Sequence, residues 1–191
     1  FGLHGRTIWM RAQGLDNSPL VPFHERKSIS TERTYGKDTT DMVKLETTLF
    51  AMAENLAYQL RRANKMTGCV SVKIRYSDFK TYTKQKRVPY TSADHVLVPL
   101  VKELFTSLYD RRMLIRRVGA NYCHIVGGHY QIDLFADDEK LLNLYQAMDR
   151  VRNRFGESSL MRASAMGAHS IGRGGNPFDG QPPILLAHRQ Q

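Results

Sequence analysis

Between residues 27 and 126 the hydrophobic period switches four times, and that order of periods leaves few folds open. Residues 27–35 alternate, with β-branched and aromatic side chains set between polar ones, which predicts a half-buried strand ending at Gly36. A helix follows to about Asn64, capped within Asp38–Asp41, with Leu45, Leu49, Met52, Leu56 and Leu60 at three- and four-residue steps and Lys44, Glu54 and Arg61 on its outer face. Gly68 is expected to end that helix. Val70, Val72, Ile74 and Tyr76 then alternate with Ser71, Lys73 and Arg75, Ser77 and Asp78 turn the chain, and a basic return strand covers 79–88. A second helix over about 93–109 has Val96, Leu100, Leu104 and Leu108 as its expected buried stripe, with Pro99 tolerated early. A last strand covers 113–126. The fold class is therefore α+β: βαββαβ, a four-stranded sheet covered on one face by two helices and free on the other.

The flanks read differently. Residues 1–20 hold a short helical stretch and a turn cluster, expected to be the end of a preceding domain and a linker. Residues 21–130 form the main domain. Residues 131–166 carry a short apolar peptide and an amphipathic C-terminal helix with Leu141, Leu144, Tyr145, Met148 and Val151 on one face, and residues 167–191, rich in Gly and Pro, are expected to be a flexible tail. The first residue is Phe, so the sequence is expected to be a piece of a longer protein. With 191 residues, a domain can bury roughly 70% of its chain surface without disulfides or metal. Cys69 and Cys123 lie in no ligand-spaced cluster, and the seven histidines form no metal-binding array, so no metal site and no catalytic group is expected. No apolar run approaches the ~20 residues of a membrane span, and the reduced thiols suit a cytoplasmic, nucleoid-associated protein.

The charge is localised. Of a net +10, residues 21–130 contribute 19 basic against 10 acidic groups, whereas residues 131–191 are balanced at seven each. A basic surface of this kind points to a polyanion. Strand alternation puts Lys73 and Arg75 opposite the core set, and Lys84 and Lys86 together on one face of the return strand. All four are expected on the free sheet face, among Ser28, Ser30, Ser71, Thr81 and Thr83, whose hydroxyls suit phosphate oxygens.

The segments 2–22 (GLHGRTIWMRAQGLDNSPLVP) and 23–35 (FHERKSISTERTY), with Arg116, Arg117, Val118 and Gly119 later, resemble the end of the thumb and the whole little-finger domain of Y-family translesion DNA polymerases of the bacterial polymerase IV and polymerase V type. The resemblance covers about residues 1–130. It implies a domain that holds primer-template duplex by its phosphates, with Lys27, Ser28, Ser30 and Arg33 on the first strand and Arg116 and Arg117 on the last as contacts. Where the family usually continues Gly-Val-Arg, this chain has Gly119, Ala120 and Asn121, so a cation is missing at Asn121. The family's two magnesium ions are held by palm carboxylates that nothing here resembles. No cofactor is expected in this chain, magnesium only in its parent, and the chain alone is not expected to be an enzyme. The acidic run 137–139 is read as complement to a helix N-terminus.

Gln131, Ile132, Asp133, Leu134 and Phe135 resemble the peptide by which bacterial polymerases dock on the sliding clamp, where a glutamine amide fixes register and the leucine and phenylalanine fill an apolar cleft. The expected partners are thus duplex DNA and a bacterial sliding clamp, with no membrane and a monomeric chain. The same strand and helix order also allows an RNA-binding module, which would stack bases on aromatics of its central strands, or a protein-interaction domain whose basic face meets an acidic partner.

Overall fold

A computed structural model describes residues 1–19, 26–128, 138–166 and 168. After an isolated helix α1 (Gly2–Ala12), which buries none of its side chains, the order is β1 (Ser28–Thr39), α2 (Met42–Arg62), β2 (Lys65–Tyr76), β3 (Thr81–Thr91), α3 (Asp94–Leu108), β4 (Ile115–Gly127) and α4 (Asp138–Phe155). The four strands form one antiparallel sheet in the order β1-β4-β2-β3. Each helical crossover therefore joins two parallel strands with a third lodged between them: β4 separates β1 from β2, and β2 separates β3 from β4. The βαββαβ reading and the two-layer arrangement hold.

Local chemistry explains the elements. Asp41 caps α2 by accepting the Lys44 N–H at 3.1 Å, and the stripe Leu45, Leu49, Met52, Leu56 and Leu60 is at most 1% exposed. Each such side chain contributes about 1.5–3 kcal/mol by leaving water. Ala53 and Ala57 let α2 approach the sheet closely enough for the Tyr122 hydroxyl to donate to the Ala53 carbonyl at 3.1 Å. The helix ends at Arg62, well before Gly68, and Asn64 just past its C-cap takes the left-handed conformation (φ 52°) that asparagine tolerates. Gly68 instead lies inside β2, where the Tyr90 ring leaves no room for a Cβ. β1 likewise runs through Gly36 to Thr39.

The stripe of α3 is rotated from expectation: Leu97, Leu100, Val101, Leu104 and Phe105 are buried, while Val96 is 37% exposed. Pro99 lies inside the helix on its exposed side, and His95, four residues before it, is exposed as well.

The C-terminal helix docks by its polar side. Arg61 of α2 holds Asp149 of α4 and the fully buried Asp94 of α3, each at 2.7 Å, and Arg152 of α4 lies 3.6 Å from the buried Glu54 of α2. Arg162, past the end of α4, reaches Glu54 at 2.9 Å and Asp94 at 3.8 Å. The Tyr145 hydroxyl accepts the His95 N–H at 3.0 Å. Glu54 and Arg61, expected on a solvated face, are thus covered, whereas Leu144, Val151 and Phe155 point outward. None of the described helices is long and apolar enough to cross a membrane.

Candidate nucleic-acid interface

The strand register sorts every side chain of the sheet onto one of two faces. On the side turned away from α2 and α3, four rows run across the strands in the order β1, β4, β2, β3. They are Ser28, Cys123, Cys69 and Arg87; Ser30, Asn121, Ser71 and Gln85; Glu32, Gly119, Lys73 and Thr83; and Thr34, Arg117, Arg75 and Thr81. In these four rows, among the described residues, four cations accompany one carboxylate.

That carboxylate organises its neighbours. Glu32 and Lys73 are separated in their row only by Gly119, and the Lys73 ammonium reaches Glu32 across it at 2.6 Å. A Cβ on Gly119 would stand 2.7 Å from the Glu32 Cγ, so the glycine of the Arg-Arg-Val-Gly segment is what lets this pair meet. Arg117 donates to Glu32 at 3.1 Å and to the Thr34 hydroxyl at 2.8 Å. The Lys73 hydrogen bond, against a partial burial that works the other way, holds Glu32 below the usual carboxylate range, and Arg117 adds to the effect. Lys73 and Arg117 still expose 44% and 37% of their side chains, so both can exchange this partner for a phosphate. Small groups floor the face: Ser71 is 5% exposed and Cys69 1%. Burial, with the Cys69 hydrogen bond adding to it, raises the Cys123 thiol to about 11, so Cys123 is not a nucleophile at neutral pH.

Of the expected contacts, Ser28, Ser30, Lys73, Arg75 and Arg117 come together here, and Lys27 is exposed at the start of β1. Arg116 sits at a register shift in β4, 3.7 Å from Asp38 and against the Phe79 ring at the end of the sheet. Three expectations need correction. Lys84 pairs with Val72 and Lys86 with Val70, so both lie on the helix side of β3, where Lys86 meets Glu103 of α3 at 2.8 Å. Arg33 pairs with Val118, also on the helix side. In each case parity carried the signal: Tyr82 and Val88 share alternation with Lys84 and Lys86, and Ile29 and Tyr35 share it with Arg33. Arg87 and Glu32, both on the open face, were the residues the sequence reading passed over.

The peptide Gln131, Ile132, Asp133, Leu134 and Phe135 lies outside the described residues. Among the described residues no group of His, Cys, Asp or Glu is placed to hold a metal ion.

A split-βαβ sheet with two helices on one face and a cationic open face on the other defines the class of domain. The chain belongs to the impB/mucB/samB family, whose C-terminal domain matches residues 26–134. Among curated proteins it is 32% identical over 168 residues to DNA polymerase IV of Clostridium acetobutylicum, covering 85% of this chain and 42% of that protein. It is 29% identical over 176 residues to DNA polymerase IV 2 of Bacillus subtilis, covering 88% and 42%. The chain thus spans less than half the length of these relatives. Among solved structures, the little finger domain of a polymerase IV in complex with a beta-clamp processivity factor overlaps 57% of this chain and 99% of its own, at 17% identity and TM-score 0.42. A chimeric Y-family DNA polymerase overlaps 66% and 36%, at 24% identity and TM-score 0.43.

Proposed function

We propose that this chain is the DNA-holding, clamp-docking portion of an error-prone DNA-directed DNA polymerase that acts in translesion synthesis and repair. The observation that carries this reading is the grouping of Lys73, Arg75, Arg87 and Arg117 on one helix-free face, with hydroxyls of Ser28, Ser30, Thr34, Thr81 and Thr83 between them. Such a face binds phosphates and leaves bases unread, which suits an enzyme that must accept any template. Magnesium-dependent nucleotidyl transfer belongs to the rest of a longer polypeptide, in keeping with relatives of which this chain covers only 42%. An RNA-stacking role for the sheet is disfavoured, because the aromatics of its central strands, Tyr76 and Tyr122, are fully buried in the core.

Duplex binding as a function of salt tests the reading. The logarithm of affinity should fall against that of salt by about 0.9 per phosphate engaged. Lys73→Ala with Arg117→Ala should flatten that slope by roughly two. An unchanged slope, or equal affinity for an acidic protein surface, would end the proposal. Gln131, Ile132, Asp133, Leu134 and Phe135 are proposed to dock on a bacterial sliding clamp. Leu134→Ala with Phe135→Ala should then weaken clamp binding by at least ~2 kcal/mol in calorimetry, as hot-spot anchors do, and full affinity in that variant would refute it.

A further inference from the structure

The turn between β2 and β3 carries Phe79 at its tip, 57% exposed and with φ of 64°. A bulky side chain with no local hydrogen-bonding group is a costly choice in this left-handed region, where glycine or asparagine fits without strain. The turn nevertheless fixes it there. The Phe79 N–H donates to the Tyr76 carbonyl at 3.0 Å, the Tyr76 N–H to the Lys80 carbonyl at 3.1 Å, and the Ser77 N–H to the Leu114 carbonyl of the neighbouring loop at 2.9 Å. An aromatic ring is thus held out in water on a rigid mount, a position from which the core gains nothing.

Cations surround that ring. The Arg116 guanidinium lies 4.8 Å and the Arg75 guanidinium 5.2 Å from its centre, and Arg75 Nε also donates to the Phe79 carbonyl at 3.2 Å. Lys80 follows Phe79 in the same turn, and Arg111 lies over the Tyr82 ring near the start of β3 at 4.6 Å. The acids Asp38, Asp78 and Asp110 meet these cations only at 3.7 to 4.0 Å. Exposed aromatic surface interleaved with loosely paired cations is the combination that holds single-stranded nucleic acid, because every unpaired base has a π-face and every nucleotide a phosphate.

We propose that the hairpin tip is a stacking site for an unpaired nucleotide. The base lies against Phe79 and its flanking guanidinium planes, and the adjoining phosphates meet Arg75, Arg116 and Lys80. A base inside a duplex offers no ring face to a protruding phenyl, so the site selects strand that has left the helix. Arg75 belongs both to the open sheet face, opposite Arg117, and to the ring cluster, so a strand running off the end of a duplex held on that face arrives at Phe79. The inference rests on the proposed duplex site for the direction of approach, and on the tip itself for its chemistry.

The full chain would be titrated by anisotropy with a blunt duplex, the same duplex with a single-stranded template overhang, and a short oligothymidine. A 2-aminopurine at the first unpaired position reports stacking by quenching. The overhang should tighten binding by about tenfold, a typical stacking increment. Phe79→Ala should remove both that increment and the quenching while leaving the affinity for blunt duplex and its salt slope unchanged, and Phe79→Trp should restore them. Equal affinity for blunt and overhanging duplex would overturn the site. So would an increment that survives Phe79→Ala and falls only with Arg75→Ala and Arg116→Ala, since charge alone would then suffice. Loss of blunt-duplex binding alongside Phe79-dependent binding of oligothymidine would overturn the sheet reading and support the tip.

Discussion

Glu32 is the residue on which the open face turns. It stands among cations that it partly neutralises, yet two of them meet through it, across a position that only glycine leaves clear. An anion in that place competes with phosphate for the same donors. Glu32→Gln should therefore tighten duplex binding several-fold and steepen its salt dependence by roughly one phosphate equivalent in the same titration. Weaker binding would mean that the carboxylate orients Lys73 and Arg117 for DNA and does not restrain them. Side-chain parity was legible at this scale where both faces of a strand are distinct, as in β2, whose even positions are all apolar from Val70 to Tyr76. In β3 it was blurred: Tyr82 and Val88 mark the helix-facing set, but lysines occupy positions 84 and 86 between them. β3 is an edge strand, so a long side chain there can leave the core sideways and still reach water, and a lysine says little about which face it starts from.

The elements that periodicity found best are those that bury one clean face. The α2 stripe was read residue by residue and is wholly in the core. The apolar face of α4 divides: Tyr145 is buried and takes the His95 N–H, whereas Leu144 and Val151 are exposed, and the helix is seated as much through Asp149 and Arg152 on charges presented by α2 and α3. A pattern of hydrophobicity cannot announce that a partner surface is itself ionic. Burial and the nearby Asp94 raise the Glu54 carboxyl above its ordinary 4.5, and Arg162 and Arg152 only partly offset them. The folded chain therefore holds that proton to higher pH than the unfolded chain, so this group's contribution to stability falls as pH rises from about 4.5 through the raised value. Glu54→Gln should flatten the denaturation midpoint over that window, which urea titrations at several pH values would measure. A slope unchanged by the substitution would assign the dependence elsewhere.

Across the whole molecule the positive charge divides between grip and surroundings. Lys84 and Lys86 add to the domain's field without touching what lies on the open face. Lys84→Ala with Lys86→Ala should accordingly slow association with duplex at low salt and leave the dissociation rate as it was, whereas open-face substitutions should raise it. Stopped-flow traces separate the two, and a faster off-rate in the double variant would return those lysines to the contact surface.

The strand order has a consequence for how such a domain is made. Among the described residues β1 has a single neighbour in the sheet, and that neighbour is the strand synthesised last. A nascent chain can raise the β2–β3 hairpin and wind α2 early, but residues 28–39 wait for 115–127 to emerge from the ribosome before any backbone partner exists for them. Assembly is closed by its final piece, so a stalled or nicked product that stops short of β4 keeps an orphan strand and no finished sheet.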